Sequence, residues 1–133
     1  MENALKIILR LIALVAFLTG ANILVGGASA VPGYEGGFDV SVDNELRFFS
    51  IFWMAYGGLC FWVTNNFSQR ASLIPFIALV FFIGGLARLV SVVAQGEPSI
   101  ILVGAMILEW LLPVLIYFIY RKYVNLTLTV AID

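Results

Sequence analysis

The chain has 133 residues, 62% of them hydrophobic and only 11% charged, with a net charge of −1 and a mean hydropathy of +1.06. A water-soluble domain of this composition lacks the polar residues to cover its own surface, so the sequence reads as an integral membrane protein with no nucleic-acid footprint. The absence of histidine removes imidazole haem ligation, zinc sites of the usual kind and Ser-His-Asp catalysis, and no cofactor is implied.

At about 20 residues per crossing, this length allows four helices with short connections and one domain. The expectation is an all-α, polytopic up-down bundle of four transmembrane helices over residues 1–122, at about 5–30, 46–67, 73–95 and 99–120. Cys60 is the only cysteine, so no intrachain disulfide or dithiol chemistry is available.

The first apolar run, Leu5 to Ala30, starts with Lys6 and Arg10 and then lacks charge. Its basic start and the small residues Ala28-Ser29-Ala30 resemble a secretory signal peptide, but the apolar stretch is longer than a signal core, so it reads as a retained helix. Ala13, Ala16, Gly20 and Ala21 recur at helical spacing, which lets a neighbouring backbone approach closely. Val31 to Glu45 is an acidic, glycine-containing loop. Its Asp43-Asn44-Glu45 end is expected to cap the second helix, because a side-chain oxygen accepts from free N–H groups there and negative charge suits a helix N-terminus.

The second crossing, Leu46 to Phe67, carries Trp53, Tyr56, Gly57-Gly58 and Trp62. A polar turn, Asn65 to Arg70, leads to the third crossing, Leu73 to Gln95. The turn Gly96-Glu97-Pro98-Ser99 starts the fourth crossing, which ends at Arg121-Lys122. With four crossings, Lys6, Arg10, Arg70, Arg121 and Lys122 fall on one side, which the positive-inside rule makes cytoplasmic. Both termini are then cytoplasmic. The tail, Tyr123 to Asp133, alternates apolar and polar residues with period two and is expected to be extended or β-like. A lone strand is unstable, so such a tail either lies disordered or interfacial, or it pairs with another chain.

Two charges stand inside the third and fourth runs. Arg88 follows Gly84-Gly85, and Glu109 is the only charge in the next run. Side chains on a helix lean toward its N-terminus, so the two converge in depth from antiparallel helices and an ion pair is expected. Pro113 has no N–H to donate to the Glu109 carbonyl, which points to a bend and a polar cavity there. Asn22, Arg47, Tyr56, Ser91 and Gln95 lie at similar depth or nearer the outer mouth. The candidate ligand-binding set is therefore Arg88, Glu109, Arg47, Asn22, Tyr56 and Ser91, with no metal site. A charge at mid-membrane costs about 2.5–3.5 kcal/mol on the mild insertion scale, which makes such residues functional candidates by default.

Three blocks in order, Asp43-Asn44-Glu45-Leu46-Arg47-Phe48-Phe49, Gly84-Gly85-Leu86-Ala87-Arg88-Leu89-Val90-Ser91 and Glu109-Trp110-Leu111-Leu112-Pro113, resemble the bacterial membrane proteins grouped as domain of unknown function 4345. The resemblance runs from the first helix to Arg121 and implies a small four-helix inner-membrane protein without implying a reaction. The architecture is also similar, by fold analogy alone, to four-helix families of the DoxX type.

Three functions fit these residues. One is binding of a lipid-like or quinone-like ligand in an outer-half polar pocket, or service as an accessory subunit, with membrane lipids, a larger membrane complex or further copies of the chain as partners. Another is an isomerase or proton-transfer enzyme acting on a lipophilic substrate, with Glu109 as catalytic acid or base. The third is a proton-coupled transporter, for which four helices are few unless the chain oligomerises.

Overall fold

The structure is a computed structural model and describes residues 1–37 and 39–130. Its long helices are α1 (Glu2–Gly26), α2 (Val40–Asn65), α4 (Ile74–Gln95) and α5 (Ile100–Val130), with a one-turn helix α3 (Phe67–Arg70) before α4. Four helical stretches are long and apolar enough to cross a membrane. The fold is all-α, with no strand among the described residues, and the chain is a multi-pass membrane protein. Its contacts separate it into two compact units, Leu9–Asn65 and a second made of Met1–Ile8 with Asn66–Asp133.

In the Leu9–Asn65 unit, α1 and α2 run antiparallel and meet through small residues. A Cβ added at Gly57 would lie 2.9 Å from the Ala16 Cβ and 3.1 Å from the Ala13 carbonyl oxygen, and one added at Gly20 would strike Met54. The small-residue spacing of the first helix thus does what its sequence predicts, which is to let backbones approach. Polar side chains tie the same pair along its length. Arg10 Nε donates to Thr64 Oγ1 at 3.2 Å, and the Trp53 indole donates to Thr19 Oγ1 at 2.8 Å.

The α1–α2 connection departs from expectation in two ways. Helix α2 starts at Val40, six residues before Leu46, because Asp39 caps it. Its carboxylate accepts the Ser41 N–H at 2.7 Å, as an N-cap side chain does from the second helical residue. Asp43, expected as the cap, is already in the first turn. It reaches back to the 3-10 turn Gly27–Ala30, where its Oδ1 accepts the Ala28 N–H at 2.8 Å. Gly27 sits at φ +58°, and a Cβ there would collide with the Asp43 carboxylate.

In the other unit, α4 begins with Pro75 in its first turn and ends at Gly96, whose φ of +94° favours glycine. The Gly96 N–H closes the helix on the Val92 carbonyl at 2.9 Å. The four-residue link then turns the chain back into α5. Ile74, Ile77, Ala78, Phe81 and Gly85 form the buried stripe of α4. On α5 the buried positions are Met106, Glu109, Pro113 and Ile116. Three-, four- and three-residue steps mark that as one helix face, so Glu109 occupies a core position.

Helix α5 does not stop at Lys122. Residues 123–130 continue it where the alternating pattern predicts a β-like tail, and residues 131–133 lie outside the described residues. An unpaired strand leaves its backbone groups without partners, whereas a helix satisfies them internally. The threonines also fold back on the helix, Thr127 Oγ1 donating to the Tyr123 carbonyl at 3.0 Å and Thr129 Oγ1 to that of Asn125 at 2.9 Å. Tyr123 packs edge-on against Phe67, 5.4 Å between ring centroids, and Lys6 stands over the other partner of that contact, 5.4 Å from the Phe67 ring. The aromatic cluster anchors the first turn of the extension.

Candidate functional site in the α4–α5 unit

Arg88 and Glu109 meet as expected. Arg88 Nε donates to Glu109 Oε2 at 2.8 Å. The two side chains differ in surroundings, Glu109 being 8% exposed and Arg88 40%. A carboxylate on the buried stripe of α5 therefore grips one edge of a guanidinium whose other edge reaches the surface. Among the described residues, neither Nη of Arg88 donates to any protein group. An arginine carries five N–H donors, and only the Nε–H of Arg88 has a side-chain acceptor among the described residues.

The adjacent glycines divide the work. Gly85 is buried, and a Cβ there would lie 2.5 Å from Trp110 Cδ1 and 3.0 Å from the Glu109 Cβ. Its missing side chain lets α5 come close enough for Glu109 to reach Arg88. Gly84 faces outward, and a Cβ there would meet nothing within 4 Å. Of the two glycines preceding Arg88, Gly84 alone borders open space. Trp110 Nε1 is buried with no hydrogen-bond partner among the described residues. Pro113, inside α5, leaves the Glu109 carbonyl without its usual donor four residues on.

The remaining candidates are placed as follows. Ser91 lies on α4, one turn after Arg88, and is exposed. Asn22, Arg47 and Tyr56 belong to the Leu9–Asn65 unit. Asn22 Nδ2 donates to the Ala30 carbonyl at 3.3 Å, and Tyr56 stacks on Trp53 with 5.5 Å between centroids and 7° between planes. Arg47 has a structural occupation. Its Nε pairs with Asp43 Oδ2 at 2.7 Å, and its Nη1 donates to the carbonyls of Leu24 at 2.6 Å and Val25 at 3.0 Å. Those carbonyls end α1 and have no helical donor of their own, so the guanidinium serves as a C-terminal cap.

Sequence reasoning missed two members of these clusters. The i, i+4 spacing of Asp43 and Arg47 was the available signal for their pairing. Trp110, next to Glu109, carried no signal that it would fill the space left by Gly85. Among the described residues no three cysteine or carboxylate side chains converge as a metal ion would require.

The family model described as domain of unknown function (DUF4345) matches residues 4–120. The chain belongs to this family. The DUF4345 match takes in both Arg88 and Glu109 and the Asp43–Arg47 pair, and it stops ten residues short of the end of α5 at Val130. No curated protein matches the chain, and no solved structure matches it.

Proposed function

We propose that the protein is a small multi-pass protein of a bacterial inner membrane, with both termini cytoplasmic, that binds a lipid-like or quinone-like molecule through Arg88. It does so alone, as a homo-oligomer or as an accessory subunit of a larger membrane complex. One observation carries the reading: a half-exposed arginine within a membrane-length helix is gripped at Nε by a nearly buried glutamate, leaving its Nη groups to donate. Keeping a charge at that depth is costly, and a structural pair has no need to present unused donors outward. Glu109 positions Arg88, and Ser91 adds a hydroxyl one turn on.

Proton transfer by Glu109 is the weaker reading, because its carboxylate points into the α4–α5 contact and is occupied by Arg88. The test is mass spectrometry of the gently purified protein beside Arg88→Gln. A bound amphipathic molecule in the first, absent from the folded second, is the expected result. Equal retention by both proteins overturns the proposal, as does the absence of any bound molecule from both.

A further inference from the structure

On α4, Gly84, Arg88, Ser91 and Gln95 follow one another at four-, three- and four-residue steps. At 3.6 residues per turn these positions stay within about 60° of one another, so they form one stripe along the helix. Gly84, Ser91 and Gln95 are exposed and Arg88 is half-exposed. Val80, one turn before Gly84, continues the stripe and is exposed too. The stripe is therefore apolar at one end and polar at the other. Between the ends lies Gly84, which carries no side chain and where an added Cβ meets nothing within 4 Å. Gln95 is the last residue of α4, so the polar end opens at the helix terminus. Arg88 lies roughly 10 Å inside it at 1.5 Å per residue.

We infer that this stripe is the seat of the ligand and that the ligand is a neutral, carbonyl-bearing lipid. The inference rests on the reading that Arg88 binds an amphipathic molecule, and it adds where that molecule lies and what its head group is. Charge decides the class. Arg88 and Glu109 already neutralise each other, so an anionic head group at that depth would bring an uncompensated negative charge into low dielectric. A carbonyl oxygen accepts from the Arg88 Nη groups without adding charge. Ser91 and Gln95 supply further hydrogen bonds toward the helix end, and the hydrocarbon chain lies over Gly84 and Val80. A quinone ring and a glyceride ester both present this chemistry.

The test uses the full chain in a non-ionic detergent, with tryptophan quenching by a short-chain isoprenoid benzoquinone as readout. Diacylglycerol and phosphatidylglycerol serve as competitors. Saturable quenching, weakened tenfold or more in Gly84→Leu and a few-fold in Ser91→Ala, is the expected result, with phosphatidylglycerol a poor competitor. Competition by diacylglycerol with little quenching at saturation assigns the site to an ester, and strong quenching without that competition assigns it to a quinone. Gly84→Leu fills open space and is checked for an unchanged melting temperature. Unaltered binding in folded Gly84→Leu, or phosphatidylglycerol competing as well as the neutral lipids, overturns the inference while leaving Arg88 as a ligand residue. Quenching unchanged in Arg88→Gln, or neither saturable quenching nor diacylglycerol binding, overturns both.

Discussion

Arg88 and Glu109 are joined by one hydrogen bond of 2.8 Å between α4 and α5, and burial is divided unequally between them. The buried partner is the one that suffers when the pair is broken. Arg88→Leu leaves a carboxylate in the α4–α5 contact without its counter-charge, and Glu109→Leu leaves a guanidinium that still reaches the surface.

Thermal unfolding in detergent is therefore expected to separate the two single variants. Removing one member of a buried pair costs about 3–5 kcal/mol, and partial exposure reduces the figure. Arg88→Leu should fall in that range, with Glu109→Leu below it. The double variant Arg88→Leu/Glu109→Leu should recover most of the loss, since apolar replacements avoid desolvation altogether. A double variant as unstable as the sum of the singles would show that the two side chains are not energetically coupled, against the pairing seen in the structure.

Gly85 sets how closely α5 approaches α4. In Gly85→Ala the new methyl meets the Trp110 ring and the Glu109 side chain, and overpacking of this kind costs about 1–3 kcal/mol. Gly84→Ala meets nothing and exchanges a poor helix former for the best one, so a change of less than about 1 kcal/mol, in the stabilising direction, is expected. Melting temperatures of the two adjacent variants make the comparison. Equal effects would contradict the division of roles between the two glycines.

The four crossings were legible because hydrophobic run length is an additive signal that no tertiary contact overrides in a membrane. The Arg88–Glu109 pair was legible for the same reason, since two isolated opposite charges in adjacent apolar runs have few other partners. Where local geometry decides, the sequence was ambiguous. Asp39 and Asp43 are both acceptable N-caps, and the loop that brings Asp43 onto Ala28 selects between them. The period-two pattern after Lys122 suits a strand, but with no neighbouring strand among the described residues, helix continuation satisfies the backbone and wins. Arg47 looked like a ligand residue because its partners, the last carbonyls of α1, are backbone atoms that carry no mark in the sequence.

The Asp43–Arg47 pair joins the end of α1 to the start of α2. Arg47→Ala removes the donors to Leu24 and Val25, and Asp43→Ala removes the acceptor of the Ala28 N–H. Hydrogen exchange is the direct measurement. The Ala28 amide should lose protection in Asp43→Ala, and the last turn of α1 should fray in Arg47→Ala. Each variant removes a charge-assisted hydrogen bond, so local exchange should quicken by about tenfold or more. Unchanged exchange at Ala28 in Asp43→Ala would remove the carboxylate from its role as a cap on the 3-10 turn.

Asp39 gives the connection a dependence on pH. Its carboxyl titrates below the ordinary value of 3.8, chiefly because the ionised form accepts the Ser41 N–H and then because it accepts from the Ser41 side chain. A carboxylate whose folded pKa is depressed stabilises the fold fully above the unfolded value, and that contribution is lost as pH falls through the folded value. The start of α2 should accordingly keep its protection at pH 5 and fray as the pH drops below 3.8. Asp39→Ala should show the frayed state already at neutral pH, with no further change on acidification, whereas Asp39→Ser retains an N-cap acceptor that does not ionise in this range. Exchange at the Ser41 amide across pH 2–6 reads all three proteins on one scale, and a titration in Asp39→Ala matching the parent's would assign the acid sensitivity to another group.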